Sequence, residues 1–568
     1  MKISKTVSLR GALTLALVAG ALWTLSAGTA PPATAGLDVE LAREIDAVMG
    51  EMFKPGEPGA AVIVVRDGKT LFRKGYGMAN LELGVAVEPD MIFRIGSMTK
   101  QFTAAAILLL AEEGKLSLQD EVTKYLPGVK TGGKKITLEH LLTHTSGLPS
   151  YTEAEGWPKL WRQDMSIEEI LDLTKDKPLE FAPGERWNYC NTGYVMLGAV
   201  VEKVSGQTFG DFVEAKIFKP LGMNRTSYDS TERVIPHRIP GYHQGKDGFI
   251  NAPYLSMTQP HAAGALISTV DDLALWNEAV FAGKVLKAES LGRAITPFKT
   301  TGGESTGYGY GWMIGSLRGH RTVEHGGGIM GFSSYGLSLP DDGIYVAVLT
   351  NGVGPGRDPE SRAVRVAEAA LNLPPEAIQA VTVPEKDLDA LVGVYEGPTG
   401  QTRYITREGD KLCSQRKGSQ KYTLTALSPT EFRFPDSPTR LLFHKDDQGK
   451  VDGVRLETRV GMAETYRKTD KPLPAARKEI TLEPKLLERY VGEYELQPGF
   501  SLVFTAEDGR LMIQATGQPK FEVFPESETR FFLKVVDAQV EFTLGEGGKA
   551  TGLTLHQAGA HLPGKRIR

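Results

Sequence analysis

Phe93-Arg94-Ile95-Gly96-Ser97-Met98-Thr99-Lys100 leads into Phe102–Glu113, an apolar segment rich in alanine and leucine that ends before Gly114. This composition predicts a helix with glycine just past its end. If the helix begins near Ser97, Lys100 lies on the same face, one turn on. Burial would weaken the lysine's hold on its proton and let it activate the serine hydroxyl. The four-residue motif alone is too short to be decisive.

A second group of polar residues, Tyr189-Cys190-Asn191, follows 92 residues after Ser97 and precedes a predicted helix, Gly193–Lys203. A tyrosine near a lysine can become a phenolate and serve as a general base. An asparagine side chain can hold both a lysine and a substrate amide. The alternative interpretation is an aromatic residue packed before the helix.

The third group is His325-Gly326-Gly327-Gly328, which lies 136 residues after Tyr189. Glycines let a substrate backbone approach closely and leave N–H groups free for an oxyanion hole. The histidine can donate a hydrogen bond or position a base. A glycine-rich turn with an incidental histidine is the alternative interpretation.

In this order, the three groups resemble the S-x-x-K, Y-x-N and K-T-G or H-x-G motifs of the serine β-lactamase and penicillin-binding protein superfamily. The likeness is greatest to the branch of class C β-lactamases, D-alanyl-D-alanine carboxypeptidases, D-aminopeptidases and carboxylesterases. It extends over residues 36–373. Three flanking segments contribute to it: Phe93–Gly96, Leu141–Leu148 and Gly331–Ser334.

The resemblance implies a role for each motif residue. Ser97 would be the acylated nucleophile, Lys100 its proton partner and Tyr189 the general base. Asn191 would contact both the substrate and the lysine. Water would then hydrolyse the acyl-enzyme, and the reaction would need no metal or other cofactor.

In the third motif, the resemblance places His325 where the family has a lysine or a histidine. The backbone N–H groups of Ser97 and Gly328 would form the oxyanion hole, with Gly327 at the substrate edge. The histidine removes a cation that β-lactamases use near the substrate carboxylate. This departure weakens the case for β-lactam or C-terminal D-Ala-D-Ala substrates and leaves amides, esters and N-terminal D-residues.

Two further departures concern neighbours of the motif residues. Cys190 stands where the family usually has serine or alanine. Glu324 precedes the histidine where glycine is common; it could orient His325, but we expect it to face solvent.

The fold class follows from strand pairs at both ends of this region. Ala60–Val65 and Thr70–Tyr76 are predicted strands joined by an Asp-Gly turn, and Gly336–Leu339 and Ile344–Thr350 form a second pair. With helices between them, the two pairs can share one sheet. We therefore predict an α/β (α+β) domain, residues 36–375, with an antiparallel sheet, and the resemblance implies that it is of the β-lactamase/transpeptidase type.

Beyond a Pro-containing linker, Leu373–Glu385, the chain changes to alternating strands and turns and is internally repeated. The repeat predicts two all-β barrel modules, residues 386–470 and 485–568, joined by a second linker, Lys471–Pro484. They resemble the lipocalin-like barrels appended to D-aminopeptidases of this superfamily, in which a barrel loop could restrict the active-site mouth. The residues that recur 99 positions later are Leu388, Val392, Gly393, Tyr395, Leu412, Phe432, Phe443, Gly453 and Leu456.

The N-terminus has the pattern of an export signal. Lys2, Lys5 and Arg10 precede an apolar stretch, and Ala33-Thr34-Ala35 is a cleavage site that would start the mature chain near Gly36. A membrane anchor is the alternative, but the stretch is shorter than the roughly 20 apolar residues of a spanning helix. We therefore predict a signal peptide, residues 1–35, and a periplasmic or secreted bacterial protein.

The amino-acid composition limits the classes of binding partner that we expect. The chain is 41% hydrophobic and 24% charged, with a net charge of -4 and no long run of one sign. These values argue against a nucleic-acid or anionic-membrane surface. Only Cys190 and Cys413 occur, in different predicted domains, so we expect two free thiols. The expected partner is a small-molecule or short-peptide substrate, and the oligomeric state is left open.

The sequence thus predicts an exported serine hydrolase that acts on amide or ester bonds of small, D-residue-containing peptides or on esters. A β-lactamase or D-Ala-D-Ala carboxypeptidase is one alternative, and a non-catalytic protein that binds cell-wall fragments is another. Gly303–Gly307 also matches the G-x-S-x-G nucleophile elbow, but it lacks the preceding apolar strand and following helix that the elbow needs.

Overall fold

The structure is a computed structural model of the chain. It describes residues 39–568 except 246–247, 355, 375–378, 398–400, 418–420, 436, 438, 461–462, 475–478, 498–499, 517, 519, 535, 537 and 558–559. The predicted export signal lies outside the described residues. Among the helices described, none combines the length and apolar character required to cross a bilayer.

The region of the predicted catalytic domain contains twelve helices and fourteen strands within the described residues. Their bounds are α1 (Val39–Met52), β1 (Ala60–Arg66), β2 (Lys69–Tyr76), β3 (Met78–Asn80), β4 (Val85–Ala86), β5 (Phe93–Arg94), α2 (Thr99–Glu112), α3 (Leu138–Leu142), α4 (Trp157–Leu160), α5 (Ile167–Asp172), α6 (Asn191–Ser205), α7 (Phe209–Val213), α8 (Lys219–Leu221), β6 (Ser227–Tyr228), β7 (Tyr242–Gln244), β8 (Phe249–Asn251), α9 (His261–Gly264), β9 (Leu266–Ser268), α10 (Val270–Phe281), α11 (Ala288–Ala294), β10 (Met313–Leu317), β11 (His320–Ile329), β12 (Phe332–Leu339), β13 (Ile344–Thr350), β14 (Gly352–Val353) and α12 (Pro359–Ala370).

The central sheet joins the two ends of this region. Its strand order is β10-β11-β12-β13-β1-β2, and every neighbouring pair is antiparallel. The predicted terminal pairs therefore share one sheet, with Val62 opposite Val348. Asp67 and Gly68 both adopt positive φ, 51° and 74°, as the tight turn between β1 and β2 requires.

Strand β1 is apolar from Ala60 to Val65 because both of its faces are covered. Ala61 and Ile63 pack into the core around α2 and α6, while Val62 and Val64 pack into a second core with α1 and α12. Side chains alternate between the faces of a strand, so a strand buried on both sides reads as one continuous apolar run. The sheet is thus a rigid layer between two sets of helices.

The nucleophile motif lies where the chain enters α2. Gly96–Met98 form a 3₁₀ turn that continues into α2, whose first ten residues are all buried. Helix α6 begins at Asn191 and is followed by Gly206 with φ 73°, a left-handed glycine cap. Helices α2 and α6 pack against each other in the same core, so their N-terminal residues can converge.

The C-terminal region contains two short helices and two sets of strands. Their bounds are α13 (Glu385–Leu391), β15 (Gly393–Glu396), β16 (Thr402–Glu408), β17 (Lys411–Arg416), β18 (Lys421–Thr423), β19 (Thr425–Ala426), β20 (Glu431–Arg433), β21 (Arg440–Lys445), β22 (Val451–Glu457), β23 (Ala463–Thr469), α14 (Pro484–Leu487), β24 (Gly492–Gln497), β25 (Phe500–Glu507), β26 (Arg510–Ala515), β27 (Lys520–Pro525), β28 (Arg530–Phe532), β29 (Ala538–Leu544), β30 (Ala550–Gln557) and β31 (Ala560–Arg566).

These strands form the two predicted all-β modules. The first barrel module, β15–β23, is a nearly closed antiparallel sheet of nine strands. The second barrel module, β24–β31, is a closed barrel of eight. Each encloses its own apolar core, one centred on Tyr395 and the other on Tyr494. The fold class predicted from the sequence is confirmed.

The internal repeat extends to individual hydrogen bonds. Tyr395 Oη donates to the Leu391 carbonyl (2.6 Å), and Tyr494 Oη, 99 residues later, donates to the Tyr490 carbonyl (2.9 Å). A β-bulge follows His444 in the first module and Thr543, its counterpart, in the second. The two copies therefore share both side-chain anchoring and strand register.

We expect Tyr395→Phe and Tyr494→Phe to destabilise their own modules by similar amounts. Each variant removes a buried hydrogen bond and leaves a buried carbonyl unpaired, which costs about 1–3 kcal/mol. Scanning calorimetry of the full chain measures the change. Tyr422→Phe, at an exposed tyrosine of the first module, is the matched control and should change nothing. An equal loss in this control would contradict the prediction.

Candidate active site

Lys100 lies at the centre of the site, with three acceptors around its Nζ atom. The distances are 3.1 Å to Ser97 Oγ, 2.8 Å to Asn191 Oδ1 and 2.8 Å to the Ala263 carbonyl oxygen. The acceptors come from the turn before α2, from α6 and from α9. The structure therefore brings together the first two sequence motifs and adds a backbone group that the motifs do not contain.

The surroundings of Lys100 favour its neutral form. The residue is fully buried, and this burial holds its pKa well below the usual lysine range. Nζ also lies 4.7 Å from the centre of the Tyr189 ring and 5.3 Å from that of Tyr194. Because Asn191 Oδ1 and the Ala263 carbonyl can only accept, they take two N–H groups, and the third position of Nζ faces Ser97.

Tyr189 places its hydroxyl beside the nucleophile. Its Oη atom is buried and makes no hydrogen bond of ordinary geometry within the described part of the chain. Burial raises the pKa of Tyr189 above the usual tyrosine value, and the Ser97 hydroxyl partly opposes this shift. A buried, unpartnered hydroxyl is costly to maintain in a folded protein, which is typical of a group reserved for chemistry.

Asn191 and Cys190 are fixed from the opposite side. Asn191 Nδ2 donates to Thr152 Oγ1 (3.3 Å), which turns its Oδ1 atom towards Lys100. The Cys190 N–H donates to His144 Nδ1 (3.0 Å), and the His144 ring lies 4.2 Å from the Tyr189 ring. His144 thus supports the second motif. Its pKa is held well below the usual range, first by burial and then by Lys100.

His325 is buried and both of its ring nitrogens are occupied. Nδ1 lies 2.6 Å from the Gly326 carbonyl, which can only accept, so Nδ1 carries the proton. Nε2 then accepts from Tyr308 Oη at 2.9 Å. Burial, followed by the charge of Lys100, lowers the pKa of His325 to about 3. The histidine is therefore a neutral, fixed group.

Tyr308 is a site residue that the sequence analysis missed. It is buried, and its ring lies 4.8 Å from His144 and 6.4 Å from Tyr189. It belongs to the segment Tyr308-Gly309-Tyr310-Gly311, which directly follows the G-x-S-x-G match. That match is not an elbow, because Ser305 lies in an exposed loop rather than between a strand and a helix.

Glycine is required at two points where β11 approaches the nucleophile. A Cβ atom on Gly327 would lie 2.0 Å from the Ile95 carbonyl oxygen, and one on Gly96, whose φ is +50°, would lie 2.9 Å from the Gly328 nitrogen. The Gly328 amide therefore lies against the residue before Ser97. This approach places the two expected oxyanion-hole amides on adjoining backbone segments.

The position of Glu324 differs from the expectation that this residue faces solvent. It is fully buried rather than solvent-facing, and it lies opposite Met313, where β10 ends its pairing with β11. Its carboxylate accepts from Thr322 Oγ1 (2.6 Å), Tyr335 Oη (2.7 Å) and Arg459 Nη1 (2.8 Å). The expectation failed because the arginine that neutralises Glu324 comes from the first barrel module, 135 residues away. The other departure, Cys190, is a buried free thiol, as is Cys413, and burial raises the pKa of Cys190 to about 11.

The chain matches known proteins over most of its length. A family profile described as Beta-lactamase matches residues 41–371, and one described as a domain of unknown function (DUF3471) matches residues 476–566. Penicillin-binding protein 4* of Bacillus subtilis (strain 168) is 27% identical over 526 residues, which cover 89% of this chain and 94% of that protein.

Two solved structures are similar. The octameric penicillin-binding protein homologue from Pyrococcus abyssi is 30% identical with a TM-score of 0.55, covering 76% of this chain and all of that one. D-amino acid amidase from Ochrobactrum anthropi SV3, at 24% identity and a TM-score of 0.53, covers 59% of this chain and 99% of that one and shows the shared fold. With the Ser97, Lys100, Tyr189 and Asn191 cluster, these matches establish that the chain belongs to the beta-lactamase family, within the superfamily of serine β-lactamases and penicillin-binding proteins.

Proposed function

We propose that the protein is a serine hydrolase that forms an acyl-enzyme on Ser97. The observation that carries this proposal is the position of Lys100. Two acceptors that cannot donate orient its amine, and the remaining position of Nζ lies 3.1 Å from Ser97 Oγ. A buried amine with this orientation is a base for the serine hydroxyl.

In acylation, Ser97 Oγ attacks the substrate carbonyl carbon while its proton passes to Lys100 Nζ. The C–N or C–O bond then breaks, and the leaving group takes a proton from Tyr189 Oη, which Lys100 restores. This order differs from the expected role of Tyr189 as first base. It follows from the raised pKa of the phenol, which disfavours a resting phenolate, and the lowered pKa of the lysine.

Deacylation repeats these steps with water as the nucleophile. The developing oxyanion is stabilised by the backbone N–H groups of Ser97 and Gly328, whose segments meet at the Gly96 contact. Gly327 keeps this edge of β11 clear of side chains. Preorganised donors of this kind are commonly among the largest contributions to such a reaction.

The substrate class follows from His325. This residue is neutral, and its nitrogens are occupied by Gly326 and Tyr308, so it supplies no cation for a substrate carboxylate. We propose amide or ester bonds of small peptides with D-residues, or simple esters, as substrates. A β-lactamase or D-Ala-D-Ala carboxypeptidase activity is disfavoured because it would use a cation at this position.

Export is part of the proposal. It rests on the basic residues Lys2, Lys5 and Arg10, the apolar stretch after them and the small residues around Ala35. We accordingly place the mature enzyme in the periplasm or outside the bacterial cell.

Ser97→Ala tests the proposed function. The wild-type protein should hydrolyse p-nitrophenyl esters or D-Ala p-nitroanilide and gain one adduct with a fluorophosphonate, because Lys100 activates Ser97. The variant should lose both the turnover and the adduct. Intact mass spectrometry and a panel of D-amino acid amides, D-Ala-D-Ala peptides, short esters and cephalosporins provide the measurements.

Ser305→Ala, in the G-x-S-x-G match, is the control for this test and should behave as wild type. A wild-type protein with no adduct and no turnover would overturn the proposal. It would favour instead a non-catalytic protein that binds cell-wall fragments.

Tyr189→Phe should lower the acylation rate about 100- to 10,000-fold, the usual contribution of a positioned proton-transfer group. The fold should be nearly unaffected, because the Tyr189 hydroxyl makes no ordinary hydrogen bond in the described part of the chain. Stopped-flow acylation and the melting temperature measure the two effects. If the rate is unchanged, Tyr189 has no part in the mechanism.

The fall of kcat/KM on the acidic limb of its pH profile should reflect protonation of Lys100. Its pKa is lowered and its neutral form is the base, so activity should fall as pH drops through that pKa and level off above it. His325, whose pKa is lowered to about 3, should be uncharged near neutral pH. In His325→Gln the rate should fall but the midpoint of the limb should stay in place. Loss of the limb in this variant would assign it to His325 instead.

A further inference from the structure

The first barrel module contacts the central sheet through the segment between β22 and β23. Arg459 and Val460 lie in this segment, and Val460 is buried. A Cβ atom on Gly315, in the edge strand β10, would lie 2.7 Å from Val460 Cα and 3.0 Å from the Arg459 carbonyl oxygen. The module therefore packs backbone against backbone on the edge of the sheet.

Arg459 extends from this contact into the protein. Its side chain is 7% exposed and that of Glu324 is 0% exposed. Both terminal nitrogens of Arg459 bind the Glu324 carboxylate, Nη1 at 2.8 Å, in the two-pronged geometry of strong arginine–carboxylate pairs. Nη2 also donates to Tyr335 Oη (3.1 Å) and to Glu360 Oε1 (3.3 Å).

This pair needs both charges. A carboxylate with no exposure to water is stable only if it is paired and hydrogen-bonded. Thr322 and Tyr335 supply hydrogen bonds but no charge. Arg459 is the cation that neutralises Glu324, and removing one member of such a pair leaves the other buried and uncompensated.

The position of Glu324 on β11 connects the pair to the active site. Met313, which lies opposite Glu324, is the first residue of β10. The pairing between β10 and β11 therefore ends at Glu324. From His325 onward, that edge of β11 has no strand partner within the described part of the chain. Glu324 is therefore the point from which the histidine and the glycines extend towards Ser97.

The second barrel module has a shorter connection at the matching position. The matching strands β30 and β31 are separated only by residues 558–559, whereas β22 and β23 are separated by residues 458–462. Alanine stands at position 558, 99 residues after Arg459. The longer segment with its arginine thus distinguishes the first module from the second.

We propose that Arg459 is a positioning residue for the active site. By pairing with Glu324 it holds the first barrel module on β10 and fixes the part of β11 from which His325, Gly327 and Gly328 reach the nucleophile. The catalytic site is therefore incomplete without a residue of the barrel module. Its effect on turnover rests on the hydrolase function proposed above.

The test is a charge cycle in the full-length chain. Arg459→Met should lower kcat/KM about 10- to 100-fold, the effect of a small misplacement of catalytic groups, mainly through kcat, and should lower the melting temperature. The double variant E324Q/R459M removes both charges and should recover most of both losses. Arg459→Lys keeps the positive charge but cannot make the two-pronged pair with the carboxylate. Its kcat/KM and melting temperature should lie between those of the wild type and Arg459→Met.

Two further variants separate charge from contact. Arg440→Met removes an exposed ion pair with Glu431 in the same module and should match the wild type. Gly315→Ala leaves every charge in place but displaces the Arg459–Val460 backbone, so it should lower kcat/KM as Arg459→Met does. All rates are measured well below each variant's melting temperature.

An Arg459→Met enzyme within twofold of wild type would overturn the proposal, as would a folded double variant no faster than the single one. If Arg459→Met does not fold, a soluble and active double variant supports the proposal and an insoluble one contradicts it. Whether the two substitutions are coupled is also measured from the melting temperatures. This measurement needs no substrate and therefore does not depend on the hydrolase function. Absence of a wild-type Ser97 adduct would instead refute the hydrolase function.

Discussion

The burial of one lysine amine organises this protein. Lys100 is fully buried, and three oxygen atoms surround its amine: Ser97 Oγ from the preceding turn, and Asn191 Oδ1 and the Ala263 carbonyl from distant parts of the chain. An amine in such a place depends on these acceptors for its hydrogen bonds. Its proton affinity and its orientation therefore depend on the complete packing of α2, α6 and α9.

The central sheet fixes the other side of the site with a different kind of constraint. Strand β11 comes so close to the nucleophile turn that a single methyl group at Gly327 would overlap the Ile95 carbonyl. Steric contact sets that distance. The protonation and orientation of His325 are set instead by its hydrogen bonds with Tyr308 and Gly326. The neutral histidine distinguishes this site electrostatically from one with a lysine at the same position.

The residues of the site differ in how well the sequence predicts them. Ser97 and Lys100 are three residues apart on one helical turn, and the continuous apolar runs of β1 and β13 reveal the buried sheet, so local sequence carries both. The Ala263 acceptor is a backbone group and leaves no mark in the sequence. Tyr308 and Arg459 contribute through tertiary contacts that span 17 and 135 residues, and no spacing rule applies to them. For the same reason Glu324 was expected in solvent.

The shared bulge and tyrosine anchors of the two barrels also have an evolutionary consequence. Register and anchoring agree over 99 residues, as expected of a tandem duplication in which the ancestral module already had this geometry. Once a spare copy existed, the segment between β22 and β23 could diverge in one module without loss of the barrel. Acquisition of a buried arginine there would have tied an appended domain to the strand that carries His325.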